Sequence, residues 1–221
     1  MSRCLPVFCI MLVLMLAAPI CAAQFVVSDN FNRANGPVGL GWSPFGNGAQ
    51  ISGNQLETFG EGDYGGGVQR NLNVTFPLVF SFNFSTAAPP DGGWVVGFNA
   101  AAEGFDVSND TSEIIVYQFS GSRQVCTEYQ ATVGPTSQCA SLVRGQRDFT
   151  AQASIACQLN ADFSATVKIK YNDGLKPATS TINVPAPSGA VQTPLGDVLF
   201  LGNINATFGP DYFDNFKLSL M

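Results

Sequence analysis

Three carboxylates lie close together in the stretch ETFGEGDYGGG: Glu57, Glu61 and Asp63. Two carboxylates suffice to cleave a glycosidic bond, one as acid and the other as base or nucleophile. Glu61 and Asp63 are therefore the candidate catalytic pair, with a solvated acidic turn as the plainer reading of this glycine-rich segment. The 221-residue chain has no histidine. That removes serine–histidine–aspartate and cysteine–histidine catalysis, histidine proton transfer and HExxH zinc sites. No glycine-rich loop leads into a helix, so a nucleotide has no phosphate cradle.

Binding a sugar asks for less: an aromatic ring to stack on and a few polar partners. Trp94 enters a strand directly from the loop at 89–93, Tyr64 follows the acidic stretch, and Tyr129 stands near two cysteines. These three are the candidate ligand-binding aromatics, with core packing as the alternative.

Asp-Asn-Phe occurs twice, at Asp29–Phe31 and at Asp214–Phe216. Alternation places Phe25, Val27, Asp29 and Phe31 on one face of a first strand. It places Tyr212, Asp214, Phe216, Leu218 and Leu220 on one face of the last. An inward carboxylate must be hydrogen-bonded, paired or metal-bound. Either hydrogen bonding suffices, each Asp accepting N–H bonds from a turn or Asp29 meeting Arg33, or Asp29 and Asp214 share a structural Ca²⁺. Both readings make the terminal strands neighbours.

The elements that must position these residues are strands. Val74, Phe76, Leu78, Phe80, Phe82 and Phe84 recur at spacing two, which no helix face accommodates. Ala153, Ile155, Cys157 and Leu159 repeat the pattern. Phe163, Val167, Ile169 and Tyr171 continue it, with Thr166, Lys168 and Lys170 facing out, so the two segments predict a hairpin. No window carries a helical period. About a dozen short strands predict an all-β, two-sheet antiparallel sandwich or jelly roll.

Residues 1–23 read as a secretory signal, with Arg3, an apolar run too short to span a membrane, and a small-residue cleavage site before Gln24. Residues 24–221 are then one extracellular domain. Without Arg3 there are nine basic against sixteen acidic side chains, a net charge of −7, which argues against nucleic acid and anionic membranes. In an oxidising compartment Cys126 and Cys139 are the expected disulfide, pairings through Cys157 being the alternative. Sequons at Asn73, Asn83, Asn109 and Asn205 are candidate glycosylation sites.

DNFNRANGPVGLGW, GAQISGNQLE and the closing YFDNFKLSL resemble the concanavalin A-like lectin/glucanase superfamily, in particular its secreted Asp-x-Phe-x-Arg…Trp domains. Asp29, Phe31, Arg33 and Trp42 meet that opening pattern, and Trp42 is then a core residue. The resemblance implies a jelly roll with adjacent terminal strands. It does not bring catalysis with it, because the Glu-x-Asp-x-(x)-Glu strand motif of the superfamily's glycosidases is missing. The expectation is a secreted, non-catalytic domain that binds glycan or cell-surface material. A hydrolase or lyase with a non-standard acidic site, and a structural wall or matrix protein, are the alternatives.

Overall fold

The computed structural model describes residues 25–46, 48–59, 65–87, 93–99, 113–119, 124–130, 136–141, 152–172, 177–189, 198–203 and 210–221. In chain order the strands are β1 (Phe25–Asp29), β2 (Ser43–Phe45), β3 (Ala49–Ser52), β4 (Gln55–Thr58) and β5 (Gly67–Asn71). Then come β6 (Leu78–Thr86), β7 (Gly93–Asn99), β8 (Glu113–Phe119), β9 (Gln124–Gln130) and β10 (Thr136–Ser141). The last five are β11 (Ala153–Leu159), β12 (Ala165–Asn172), β13 (Pro177–Val184), β14 (Val198–Gly202) and β15 (Asp211–Leu220).

They form two antiparallel sheets packed as a sandwich. The first sheet runs β13-β12-β11-β6-β15-β4-β3, with β1 also paired to β15. The second runs β10-β9-β8-β7-β14-β5-β2. Phe82 sits at the centre of the apolar layer between them, with its ring 5.4 Å from Trp94, 5.7 Å from Phe213 and 6.4 Å from Phe216.

Strict alternation produces the strands of the first sheet. β6 begins after Pro77, which has no N–H to give a ladder, and buries Leu78, Phe80, Phe82 and Phe84. β11 and β12 are the expected hairpin, Cys157 opposite Val167. Gly53 and Asn54 (φ 59° and 64°) make the β3–β4 connection, both in the left-handed region that a two-residue hairpin of this hand requires. In the second sheet Gly67 allows close approach: a Cβ there would meet the Leu201 carbonyl at 2.5 Å.

Cys126 and Cys139 face each other across β9 and β10 and are disulfide-bonded, while Cys157 is a free thiol buried in the core. The tenth strand starts at Thr136. The disulfide fixes its register. The short β2 carries no alternation to announce it.

The terminal strands pair as expected, with Asp29 opposite Phe216, but the inward faces need correcting. A bulge interrupts the β15–β6 ladder between Asp214 and Lys217, and Asn215 takes a positive φ of 53°. The extra residue reverses the alternation. Phe213, Phe216 and Leu218 are buried, while Tyr212 and Asp214 lie on the outer face with Lys217. A second irregularity between Phe25 and Val27 turns Phe25 outward, leaving it 55% exposed.

Asp211, at the start of β15, is fully buried where the two sheets meet. Its Oδ2 accepts the Gly93 N–H at 3.2 Å, and its carbonyl accepts the Thr58 hydroxyl at 3.3 Å. Burial pushes the Asp211 carboxyl up to about 6, with Thr86, Gly93 and Asn203 offsetting only part. An unfolded Asp titrates near pH 4. Below that both states are protonated; between about pH 4 and 6 only the unfolded chain releases its proton, so stability falls as pH rises through this window. The expected loss is on the order of 2–3 kcal/mol. Urea unfolding of the natural sequence across pH 4–7 should show this decline, and Asp211→Asn should flatten it.

Candidate functional site

Two of the three aromatic residues expected to stack on a ligand, Trp94 and Tyr129, are core residues. Trp94 is 1% exposed, edge-on to Phe82, and its Nε1–H donates to Gln118 Oε1 at 3.3 Å. Tyr129 is 3% exposed and stacked on Phe163 with centroids 6.0 Å apart. Neither ring offers a face to a sugar, because both point between the sheets. Glu61, Asp63, Tyr64, Asn109 and Asn205 lie outside the described residues. Asn73 and Asn83 are exposed, the first between β5 and β6, the second midway along β6.

The two aspartates do not converge on a cation. Asp29 Oδ1 accepts the Phe31 N–H at 2.7 Å and Arg33 Nη1 at 2.8 Å. Its Oδ2 accepts Arg33 Nη2 at 3.0 Å and Trp42 Nε1 at 3.0 Å. Four donors occupy the lone pairs that a calcium ion would need, and the guanidinium supplies the positive charge. Burial alone would raise the Asp29 carboxyl. Arg33, the Phe31 N–H and Trp42 outweigh it and hold the group below the usual carboxylate range. This network pins Phe31, whose φ of 49° is uncommon for a bulky residue. Asp214 sits on the opposite face of the sheet, and its carboxylate is held by the backbone and side chain of Asn215, each at 2.7 Å. Burial and the nearby Asp29 charge raise its carboxyl, the Asn215 N–H opposing.

The central strands of the second sheet, β7, β8 and β14, are buried on both sides. Away from the main core, Val95, Ile115, Tyr117, Cys126 and Phe200 form a second apolar cluster. Tyr117 O–H donates to Glu128 Oε2 at 3.2 Å, and burial with the Glu128 charge pushes its phenol up.

The outer face of the first sheet is open. One groove of about 430 Å³ is lined by Gln55, Asn83, Ser154, Lys170 and Asp214 among others. Its neighbour, about 370 Å³, takes in Ser81, Ala156, Lys168 and Lys217 and shares Asn83, Ser154 and Lys170. Small side chains on β6 and β11 make the floor, and longer ones on β12 and β15 make the walls. An aromatic stands at each end of β15. Tyr212, partly exposed, donates its O–H to Glu57 Oε1 at 3.3 Å. Phe25, on β1, lies under the Lys217 ammonium, 5.7 Å from the ring centre. Alternation in Lys168-Ile169-Lys170 already marked those lysines as exposed. Phe25 and Tyr212 were hidden by the two bulges.

This arrangement, two stacked antiparallel sheets with the terminal strands adjacent in the first, is the architecture of lectin and glucanase jelly rolls, consistent with the concanavalin A-like resemblance. The sequence matches no protein-family profile and no curated protein. Among solved structures it is similar to lectin II from Ulex europaeus, with 14% identity and a TM-score of 0.57 over 89% of this chain and 99% of that one. It is similar to a β-1,3-glucanase from Mycobacterium marinum at 12% identity and a TM-score of 0.54, covering 89% and 99% of the two chains. A galectin-like protein of unknown function from Bacillus subtilis gives 14%, 0.55, 88% and 95% in the same terms. At these identities the likeness shows the fold.

Proposed function

We propose that this chain is a secreted, non-catalytic polysaccharide-binding domain that receives its ligand on the outer face of the first sheet. The observation that carries the reading is the open, hydroxyl- and amide-lined groove, with Tyr212 and Phe25 at the two ends of the adjoining β15. Aromatic rings supply stacking surface and the polar floor supplies orientation. The lectin and glucanase neighbours support a carbohydrate ligand, and the disulfide supports an oxidising compartment.

Affinity electrophoresis against a broad panel of soluble polysaccharides tests the reading. Tyr212→Ala and Phe25→Ala are each expected to weaken binding about tenfold without lowering the thermal midpoint appreciably, because both rings are outside the core. Absence of binding to any member of the panel would sink it. Glu57 and Asp214 are carboxylates on this same face. Release of reducing ends that Glu57→Gln abolishes would convert the protein into a hydrolase.

A further inference from the structure

Three of the chain's four lysines, Lys168, Lys170 and Lys217, stand exposed on the outer face of the first sheet. Strand register arranges them. Lys168 lies opposite Ala156, Ala156 opposite Ser81, and Ser81 opposite Lys217. A lysine thus closes each end of a row whose middle is small, with its two ends roughly 14 Å apart at the usual strand spacing. In the adjacent row Lys170 lies opposite Ser154, and Ser154 opposite Asn83. None of the three lysines forms an ion pair with a described residue.

The hydrogen-bonding character of the floor points the same way. The Ser154 hydroxyl donates to Asn83 Oδ1 at 2.7 Å, which engages the amide oxygen of a groove-lining residue whose N–H₂ can still donate. Lysine can only donate. Asp214, opposite Asn83, and Glu57 put two carboxylates on the same face, and three lysines against these two leave it net cationic, rich in donors, and suited to a ligand rich in anionic acceptors. The net negative charge of the whole chain does not cancel this, since at physiological ionic strength charges beyond about 8 Å are largely screened.

Resting on the polysaccharide-binding reading above, we infer that the ligand is an acidic polysaccharide whose carboxylate or sulfate groups are held by Lys168, Lys170 and Lys217. Polygalacturonate and alginate serve as carboxylate probes, dextran sulfate as the sulfate probe, and laminarin and dextran as neutral ones. Tighter binding of a charged probe is expected, and which one leads identifies the anionic group read. Each of Lys168→Gln and Lys217→Gln should weaken it about threefold and the double variant about tenfold, with an unchanged thermal midpoint. High salt should erase the difference. Arg70→Gln, the same loss of charge on the second sheet, should leave affinity unchanged.

Equal or tighter binding of laminarin or dextran, or a double variant as tight as the natural sequence, would overturn the acidic ligand while leaving polysaccharide binding in place. No binding to any of the five probes would overturn both. Polyuridylate bound as tightly as the acidic sugars would overturn the choice of polysaccharide.

Discussion

Asp29→Ala is expected to cost about 3 kcal/mol of stability, read as a lower urea midpoint at neutral pH. The carboxylate accepts the Phe31 N–H, both Nη groups of the Arg33 guanidinium and the Trp42 indole N–H, while Arg33 Nε–H donates to the Val38 carbonyl. Arg33 is partly exposed, so water can replace its partner. Phe31 and Trp42 are core residues, and their donors would be left without an acceptor where water does not reach. Phe31, Trp42 and Phe216 then lose their alignment, because Trp42 bridges the other two rings at 6.1 and 5.9 Å. The Asp29 carboxyl lies below its ordinary value, so its contribution is present above pH 4 and disappears as pH falls through the folded-state value. That window lies below the one in which Asp211 acts, so the two effects separate in one titration. A loss under 1 kcal/mol would reduce the network to an ordinary surface ion pair.

Trp94→Ala is the second large effect, about 3–5 kcal/mol from lost burial and the cavity left behind. The ring fills the space between Phe82 and the second sheet, and its removal also strips Gln118 Oε1 of the indole donor. Calorimetry should show a lower midpoint, and binding measured well below that midpoint should be intact. A variant that stays stable yet loses polysaccharide affinity would return Trp94 to the ligand site.

How far these residues could be placed from the sequence depended on burial. β6, β11 and β12 have one face in the core and one in water, so their alternation is written into the chain and the hairpin can be read directly. β14, Val198–Gly202, is buried at every position, and Ile114 to Gln118 in β8 likewise. With apolar residues on both faces, no pattern says which side is which. Trp94 suffered from this: its proximity to a loop suggested exposure, but the strand it enters is covered on both sides. The bulge at Asn215 cost more. It moved Tyr212 and Asp214 out of the core, and no glycine or proline signals it in the sequence. The lysine rows could be half seen, since the exposure of Lys168 and Lys170 follows from alternation. Their alignment with Lys217 required the register of four strands.

Phe25 stands opposite Ser219 on neighbouring strands, two residues from Met221. A tag, tether or neighbouring module joined at either of these points would leave the sandwich from one shared corner, beside the Phe25 ring. Protein anchored to a sensor chip through that corner would be oriented with its lysine-bearing surface beside the attachment point. Coupling through an engineered cysteine at Gly53 or Asn54, in the β-turn between β3 and β4, would attach it elsewhere.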